Sequence, residues 1–330
     1  MDWDSRVGKR VKLRNLHVLK ATVEAGSMMK AANLLAITQP AVSYAIAEME
    51  HLLGVPLLDR TSHGVTPTVY GEALLRRAAA AFNELRQGIS EIESLADPTS
   101  GELRMGTTAP MSIFASAVYN RLVPQYPRMK FELSTASTDK LLRQLRQRDI
   151  ELVISRLTDW LLVDDLVVKT LFHDELAVIC SKQNKWARRR NVSLVDLINE
   201  PWVLPHSSGF LIHVINKAFE QCGLNTPHAT VATTATYALS VLISNGPFLT
   251  MHPRVMLTPN HHPQLTAVDV RLPMTRGPIA LITLKDRSPS PAAKLFIQTA
   301  TALAKAVAPT PGRSAEAGKK RTRSPSVGRR

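Results

Sequence analysis

Apolar residues recur at helical spacing from Leu13 to Leu53, but the run is broken twice, and the second break is only three residues, Ala36-Ile37-Thr38. Helices joined by so short a turn cross steeply instead of lying side by side, which restricts the fold more than any other feature of the chain. In the first helix Leu16, Leu19 and Val23 share a face, Gly26 supplies a stop and Ser27 a natural N-cap for the next helix. That second helix, about Met28 to Leu35, is short and dense in small or aliphatic residues (Ala31, Ala32, Leu34, Leu35), as a closely crossed helix must be. Thr38 caps the third helix, and Pro40 sits in its first turn, where a missing N–H is harmless. Val42, Ala45, Ile46, Met49 and Leu53 form the inward stripe of this helix; Pro40, Ser43, Tyr44, Ala47 and His51 line the opposite face.

The outer face is small, polar and uncharged at its N-terminal end, so it can enter a DNA major groove. Gln39 can pair there with an adenine edge, and Pro40 or Ala47 can touch a thymine methyl. Beyond Gly54, the segments Pro56 to Arg60 and Val65 to Thr68 read as two short strands around Ser62-His63-Gly64. They would form a wing, with Arg60 at its base placed to insert into an adjacent minor groove. An ordinary three-helix bundle with a surface hairpin also satisfies the pattern.

A longer ordered match narrows this choice. It comprises Leu16-His17-Val18-Leu19, Glu24-Ala25-Gly26-Ser27, Ala31-Ala32, Thr38-Gln39-Pro40-Ala41-Val42-Ser43, Glu50, Leu53-Gly54-Val55-Pro56-Leu57-Leu58-Asp59-Arg60, and Thr66-Pro67-Thr68 before Gly71-Glu72. In these residues the chain resembles the LysR-type transcriptional regulators. The resemblance implies that Gln39, Pro40 and Ser43 face DNA and that Arg60 is a wing arginine. Ser27, Thr38, Tyr44 and Ala47 complete the expected DNA-binding set. Many members of the family carry a basic residue where this chain has Tyr44, and His63 replaces a commonly basic wing residue, so base preference at those positions is not carried over.

Leu75, Ala78, Phe82, Leu85, Ile89, Ile92 and Ala96 repeat at alternating steps of three and four, a heptad seam on one long helix. Its first part is expected to pack on the wing and third helix. The remainder is assigned to a homodimer, as the resemblance also implies. Asp97-Pro98-Thr99-Ser100-Gly101 then breaks the helix and marks a hinge.

Behind the hinge, strand-like runs (Leu103 to Thr107, Lys130 to Thr135, Ile150 to Ser155) alternate with amphipathic helices (Ser112 to Gln125, Asp139 to Arg148), which argues a parallel sheet with helices on its faces. Further strands are expected at Leu176 to Cys180, Trp202 to Pro205, His228 to Ala232, Phe248 to His252 and Ile279 to Thr283. The resemblance adds a two-lobed effector domain like that of periplasmic binding proteins. The fold class expected is therefore α/β: an all-α winged helix-turn-helix (1–68), a linker helix (69–97), and a two-lobed effector domain (98–308). Its first lobe spans about 103–173 and 277–306, its second about 174–276, and a disordered basic tail (309–330) follows.

Open parallel sheets bind ligands at the carboxyl ends of their strands, near helix N-termini that favour anions. Those positions hold Thr107, Thr108, Ser137, Thr138, Ser155, Arg156, Ser207, Ser208 and Ser244, the candidate effector-binding residues. Arg156 would serve as bidentate partner to a small carboxylate or phosphate ester. Serines and threonines at strand ends also act as plain caps, and a lone arginine as a structural ion-pair partner.

The net charge is +14, but 309–330 contributes +6 of it from seven basic residues and one acidic, so much of the excess is the tail. The tail either adds non-specific DNA affinity or merely solubilises the chain. Two cysteines, Cys180 and Cys222, lack Cys-x-x-Cys spacing and read as reduced core thiols. The pair His261-His262 has no carboxylate or cysteine at helical spacing and reads as a loop, so no metal and no cofactor is expected. No Gly-x-Ser-x-Gly elbow, Walker loop or His-Glu-x-x-His occurs, and the chain is expected not to be an enzyme. Without a basic n-region ahead of an apolar run, or a long uninterrupted apolar stretch, it is expected in the cytoplasm.

The expected partners are double-stranded DNA bearing an interrupted inverted repeat, a small-molecule effector, a second copy of the chain as homodimer or homotetramer, and RNA polymerase. Two alternatives stay open: a DNA-binding regulator that takes no effector, and a small-molecule binding protein.

Overall fold

The computed structural model describes residues 11–61, 64–97, 99–157, 164–206, 210–257, 262–273 and 275–307. Helices α1 (Leu13–Ala25), α2 (Met28–Leu35) and α3 (Gln39–Leu53) pack around Leu19, Val42, Ile46 and Met49. The turn before α3 is tight because Ala36 adopts a left-handed conformation (φ 52°), ending α2 within one residue. Thr38 Oγ1 accepts the Ala41 N–H at 3.4 Å, so this threonine caps α3. Ser27 holds the N-cap position of α2 by backbone geometry, but its hydroxyl makes no capping bond, contrary to the capping role expected of it.

Strands β1 (Leu58–Thr61) and β2 (Gly64–Pro67) pair antiparallel as the wing. Its base is fixed by Glu50, whose Oε1 accepts the N–H groups of Leu57 at 2.8 Å and Leu58 at 3.2 Å. Its far strand is fastened by the Gly26 carbonyl, which accepts the Val65 N–H at 3.0 Å. Gly64 has φ +131°, and a Cβ there would lie 2.6 Å from that carbonyl oxygen, so only glycine allows the approach.

Helix α4 (Val69–Ala96) begins at Thr68, whose hydroxyl accepts the Gly71 N–H at 3.1 Å. At 28 residues it is about 42 Å long. Leu74, Leu75, Ala78 and Phe82 pack on the reader core; past Phe82 the helix runs on beyond it.

The first lobe is a five-stranded sheet of order β4-β3-β5-β12-β6, from β3 (Ser100–Thr107), β4 (Arg128–Thr135), β5 (Leu152–Arg156), β6 (Leu166–Asp174) and β12 (Gly277–Leu284). Helices α5 (Ser112–Leu122), α6 (Thr138–Arg146) and α10 (Pro291–Val307) cover it. Met105, Phe114 and Phe296 are buried on one face, Leu141, Leu145 and Val153 on the other. The three strands from which a parallel sheet was expected, β3, β4 and β5, are parallel, whereas β12 pairs antiparallel with both β5 and β6, so the sheet as a whole is mixed. Parallel neighbours need a crossover, which α5 and α6 supply; β12 arrives straight from the second lobe and so runs the other way.

The second lobe lies between β6 and β12 in sequence. Strand β7 (Leu176–Ser181) is central, paired antiparallel with β10 (Thr250–Pro253) and β11 (Leu265–Ala267). Strands β8 (Trp202–Leu204) and β9 (Ala229–Ala232) are parallel. Helices α7 (Leu194–Leu197), α8 (Phe210–Glu220) and α9 (Thr236–Asn245) complete the lobe. Trp202 and Phe219 meet edge to face at its centre, and the Trp202 indole donates to the Leu197 carbonyl at 2.9 Å. Cys180 is buried here, where burial raises its thiol pKa to about 11. Cys222 is exposed just after α8 and is not the core thiol expected. The wing tip at 62–63, Ser207, Ser208, His261 and the tail from 308 onward lie outside the described residues.

Candidate DNA-reading face and effector cleft

The two faces of α3 separate as their chemistry requires. Val42, Ala45, Ile46 and Met49 are buried, while Gln39, Pro40, Ala47 and His51 are exposed, Ser43 is half-buried, and Tyr44 is 71% exposed. A phenol left outside a packed domain is available to a phosphate or a base edge. Thr38 is exposed at the same helix end, and Arg60 is exposed on β1, so both stand clear of the core. Ser27 is half-buried at the α1–α2 turn, beside the Gly26 carbonyl that holds the wing. Two features escaped the sequence reading: Met29 and Leu34 are strongly exposed on α2, where a core role would have buried Leu34.

A cavity of about 500 Å³ opens where the carboxyl ends of β3, β4 and β5 meet the second lobe. Of the expected effector residues, Thr108, Ser137, Thr138, Ser155 and Arg156 line it. Thr138 and Ser155 hold each other, hydroxyl to hydroxyl, at 2.8 Å. Thr138 is also the first residue of α6, so free backbone N–H groups of that helix begin at the wall.

Two expected residues are elsewhere. Thr107 is fully buried, and its hydroxyl donates to the Ile154 carbonyl at 3.0 Å, tying β3 to β5 behind the cavity wall. Ser244 lies near the end of α9 in a separate depression with Asn245, Gly246 and Pro247. The strand-end rule failed there because Ser244 precedes β10 and so sits at the wrong end of it.

Arg156 is the one charged side chain among the described residues that line the cavity. Its Nη2 donates to the Thr275 carbonyl, and its guanidinium lies over Gly277, where a Cβ would fall 2.6 Å from Nη2. Thr275 and Gly277 belong to the segment returning from the second lobe, so Arg156 grips one of the two crossings between lobes. Its Nη1 is buried without a hydrogen-bond partner. Desolvation lowers the guanidinium pKa, and the charge of Asp174 opposes that. Asp174 stands at the other crossing; burial raises its pKa, while the N–H groups of Val255 and Glu175 donate to it at 3.3 and 2.9 Å.

The second lobe contributes groups that the sequence reading did not single out. Thr233, Thr234 and Thr236 follow the end of β9, a run the strand-end rule could have caught. Thr250 and His252 alternate along β10, so both point into the cavity while Met251 enters the lobe core. Thr250 Oγ1 and His252 Nδ1 are buried with no hydrogen-bond partner. Burial, reinforced by the nearby His262, lowers the His252 pKa to about 4, so its ring is neutral at pH 7. A polar pair in an otherwise apolar strand was the available signal. Among the described residues no cluster of three or more His, Cys, Asp or Glu side chains is placed to hold a metal ion.

Family profiles match two stretches of the chain. The profile of bacterial regulatory helix-turn-helix proteins of the lysR family matches residues 13–72, and that of the LysR substrate-binding domain matches residues 96–305. A helix-turn-helix reader joined to a substrate-binding domain defines a DNA-binding transcription regulator with an effector-binding domain. The chain belongs to the LysR family of such regulators.

Among its relatives, the transcriptional regulator TdcA of Escherichia coli is 26% identical over 290 residues, covering 88% of this chain and 92% of TdcA. The regulator GbpR of Azospirillum brasilense is also 26% identical over 290 residues, covering 86% of this chain and 84% of its own. In fold, the chain is similar to the LysR-family regulator CbnR (TM-score 0.66, 20% identity, 89% of this chain and 99% of CbnR). It is also similar to an OxyR variant from Pseudomonas aeruginosa (TM-score 0.61, 17% identity, 88% of this chain and 95% of that one). These relatives are regulators, not enzymes. No helix among the described residues is long and apolar enough to cross a membrane.

Proposed function

We propose that this regulator reads an interrupted inverted repeat in double-stranded DNA as a homodimer or a tetramer of two dimers, and that a small anion in the inter-lobe cleft alters how it does so. The exposed outer face of α3 carries the reading: it leaves Gln39, Pro40, Tyr44 and Ala47 facing solvent while Val42, Ala45, Ile46 and Met49 are buried on the other side. A protein of this fold, CbnR, has been crystallised with its target DNA. In the proposed complex Gln39 and Ser43 contact base edges, Ala47 and Pro40 a thymine methyl, Thr38, Tyr44 and Ser27 the flanking phosphates, and Arg60 the adjacent minor groove. Twofold protein symmetry then requires twofold symmetry of the site.

The exposed seam of α4 is the proposed dimer contact, and Arg156 with Ser137, Thr138 and Thr108 the proposed anion-binding pole. Residues 1–68, 69–97 and 98–308 serve as reader, linker and sensor, and 309–330 as a basic tail. An anion that prefers one lobe arrangement shifts the oligomer toward it, changing DNA bend and the surface offered to RNA polymerase.

Fluorescence anisotropy on the duplex upstream of the protein's own gene tests the reader. Gln39→Ala should reduce discrimination against a scrambled duplex by about 1–3 kcal/mol. Arg60→Ala should weaken binding and flatten its salt dependence. Unchanged discrimination in Gln39→Ala would remove α3 from the interface.

A further inference from the structure

Three side chains that line the inter-lobe cavity each carry a polar atom that is buried without a hydrogen-bond partner: Arg156 at Nη1, Thr250 at Oγ1 and His252 at Nδ1. A buried orphan of this kind costs on the order of a hydrogen bond's desolvation, and a ligand that fits it recovers that cost. The orphans fall at two poles. Arg156 projects from β5 in the first lobe, whereas Thr250 and His252 share one face of β10 in the second. Much of the wall is aliphatic or aromatic, including Met111, Leu176, Phe210, Ile212, Leu239 and Ile279.

Resting on the effector reading above, we infer that the cleft takes a monoanion with an apolar body whose carboxylate meets Arg156 and whose other end carries a neutral hydrogen-bonding group, such as a hydroxyl, that meets Thr250 and His252. The apolar wall requires the body, since a purely polar ligand would lose hydration along it without replacement. Charge sets the remainder. Arg156 is the one charged lining residue among those described, so one negative charge is compensated and a second is not.

The β10 pole is fully interior: His252 is 7% exposed and Thr250 2%. A carboxylate there would need a protonated imidazole to balance it, and burial holds that imidazole neutral at pH 7. A neutral imidazole and a hydroxyl both donate or accept, and a ligand hydroxyl answers either arrangement. Because its two poles belong to different lobes, such a ligand ties the lobes together only when both ends are satisfied.

Isothermal titration calorimetry on the full chain tests this with three probes that share one body: phenylpropanoate, para-hydroxyphenylpropanoate and para-carboxyphenylpropanoate. The hydroxyl probe should bind about ten-fold tighter than phenylpropanoate, and the dianion more weakly than either. His252→Leu and Thr250→Val should each erase most of the hydroxyl preference while leaving phenylpropanoate affinity within two- to three-fold. Arg156→Ala should abolish binding of all three, with Arg156→Lys restoring part of it if the crossing to Thr275 has kept its shape. The inference is overturned if the dianion binds as tightly as the hydroxyl probe, if His252→Leu leaves the preference intact, or if none of the probes binds. Those results would leave DNA recognition untouched, since the α3 variants read it separately. A dianion that bound tightly would keep the cleft as an effector site while rejecting its neutral pole.

Discussion

Glu50 shows how much of the wing depends on one carboxylate. Its Oε1 is the shared acceptor for two consecutive backbone N–H groups at the point where α3 hands over to β1. Glu50→Ala would leave both unpaired and should destabilise the reader by about 1–3 kcal/mol, read as a lower urea midpoint, with Glu50→Gln recovering much of it. His252 makes a prediction of opposite pH sense to a paired histidine. Its pKa falls from 6.5 to about 4 on folding, so as pH drops through this range the unfolded chain takes up a proton that the folded chain refuses. Stability attributable to His252 is complete above about pH 6.5 and declines toward pH 4, by at most about 3 kcal/mol. Urea denaturation of His252→Leu should show a shallower decline in that window than the parent. Neither residue could have been assigned this way from sequence alone. Arg156, Ser137 and Thr138 were legible as strand ends and a helix start, whereas Thr107 and His252 depend on which face of a strand meets the second lobe, a fact of packing rather than of pattern.

At the scale of the element, α4 carries the most exposed apolar surface. Leu85, Ile89, Ile92 and Leu95 are 50, 59, 68 and 75% exposed, after Leu75, Ala78 and Phe82 have packed on the reader. An apolar row of this length is the surface proposed above for the dimer contact. Ile89→Asp combined with Ile92→Asp should leave the circular dichroism of the chain unchanged and convert it to monomer in sedimentation velocity. A dimer that survived the pair would move the interface off this helix. The heptad of α4 was readable because sidedness on a helix follows directly from spacing, as was the division of α3 into two faces. Strands β6 and β11 escaped because their burial is uneven and their partners, β12 and β7, are far away in sequence. The antiparallel entry of β12 escaped for the same reason: strand direction is set by which lobe the chain returns from, and nothing in Gly277–Leu284 records it.

Over the whole molecule, α4 touches both reader and sensor, and its sensor contact combines ion pairs with hydrogen bonds. Glu84 lies 2.8 Å from Arg148 and 3.3 Å from Arg287, Asn83 donates to the Gln147 carbonyl and to Asp149 at 3.1 and 2.9 Å, and Arg287 Nε donates to Gln87 at 2.6 Å. The Arg287 side chain is 8% exposed, so this strut is more than a solvated surface pair. Arg287→Ala should leave ligand affinity in the cleft and DNA affinity without ligand near parental values while diminishing the ligand's effect on DNA binding, seen by anisotropy with and without ligand. Equal coupling in parent and variant would place the transmission elsewhere. Footprinting the full chain on the DNA upstream of its own gene, with and without the hydroxyl-bearing monoanion, decides whether reader and sensor work together in one molecule. The expected result is protection of an interrupted inverted repeat whose boundaries shift when the compound is added. Absence of protection at moderate salt would contradict it, and protection that no small anion alters would contradict the role given to the cleft.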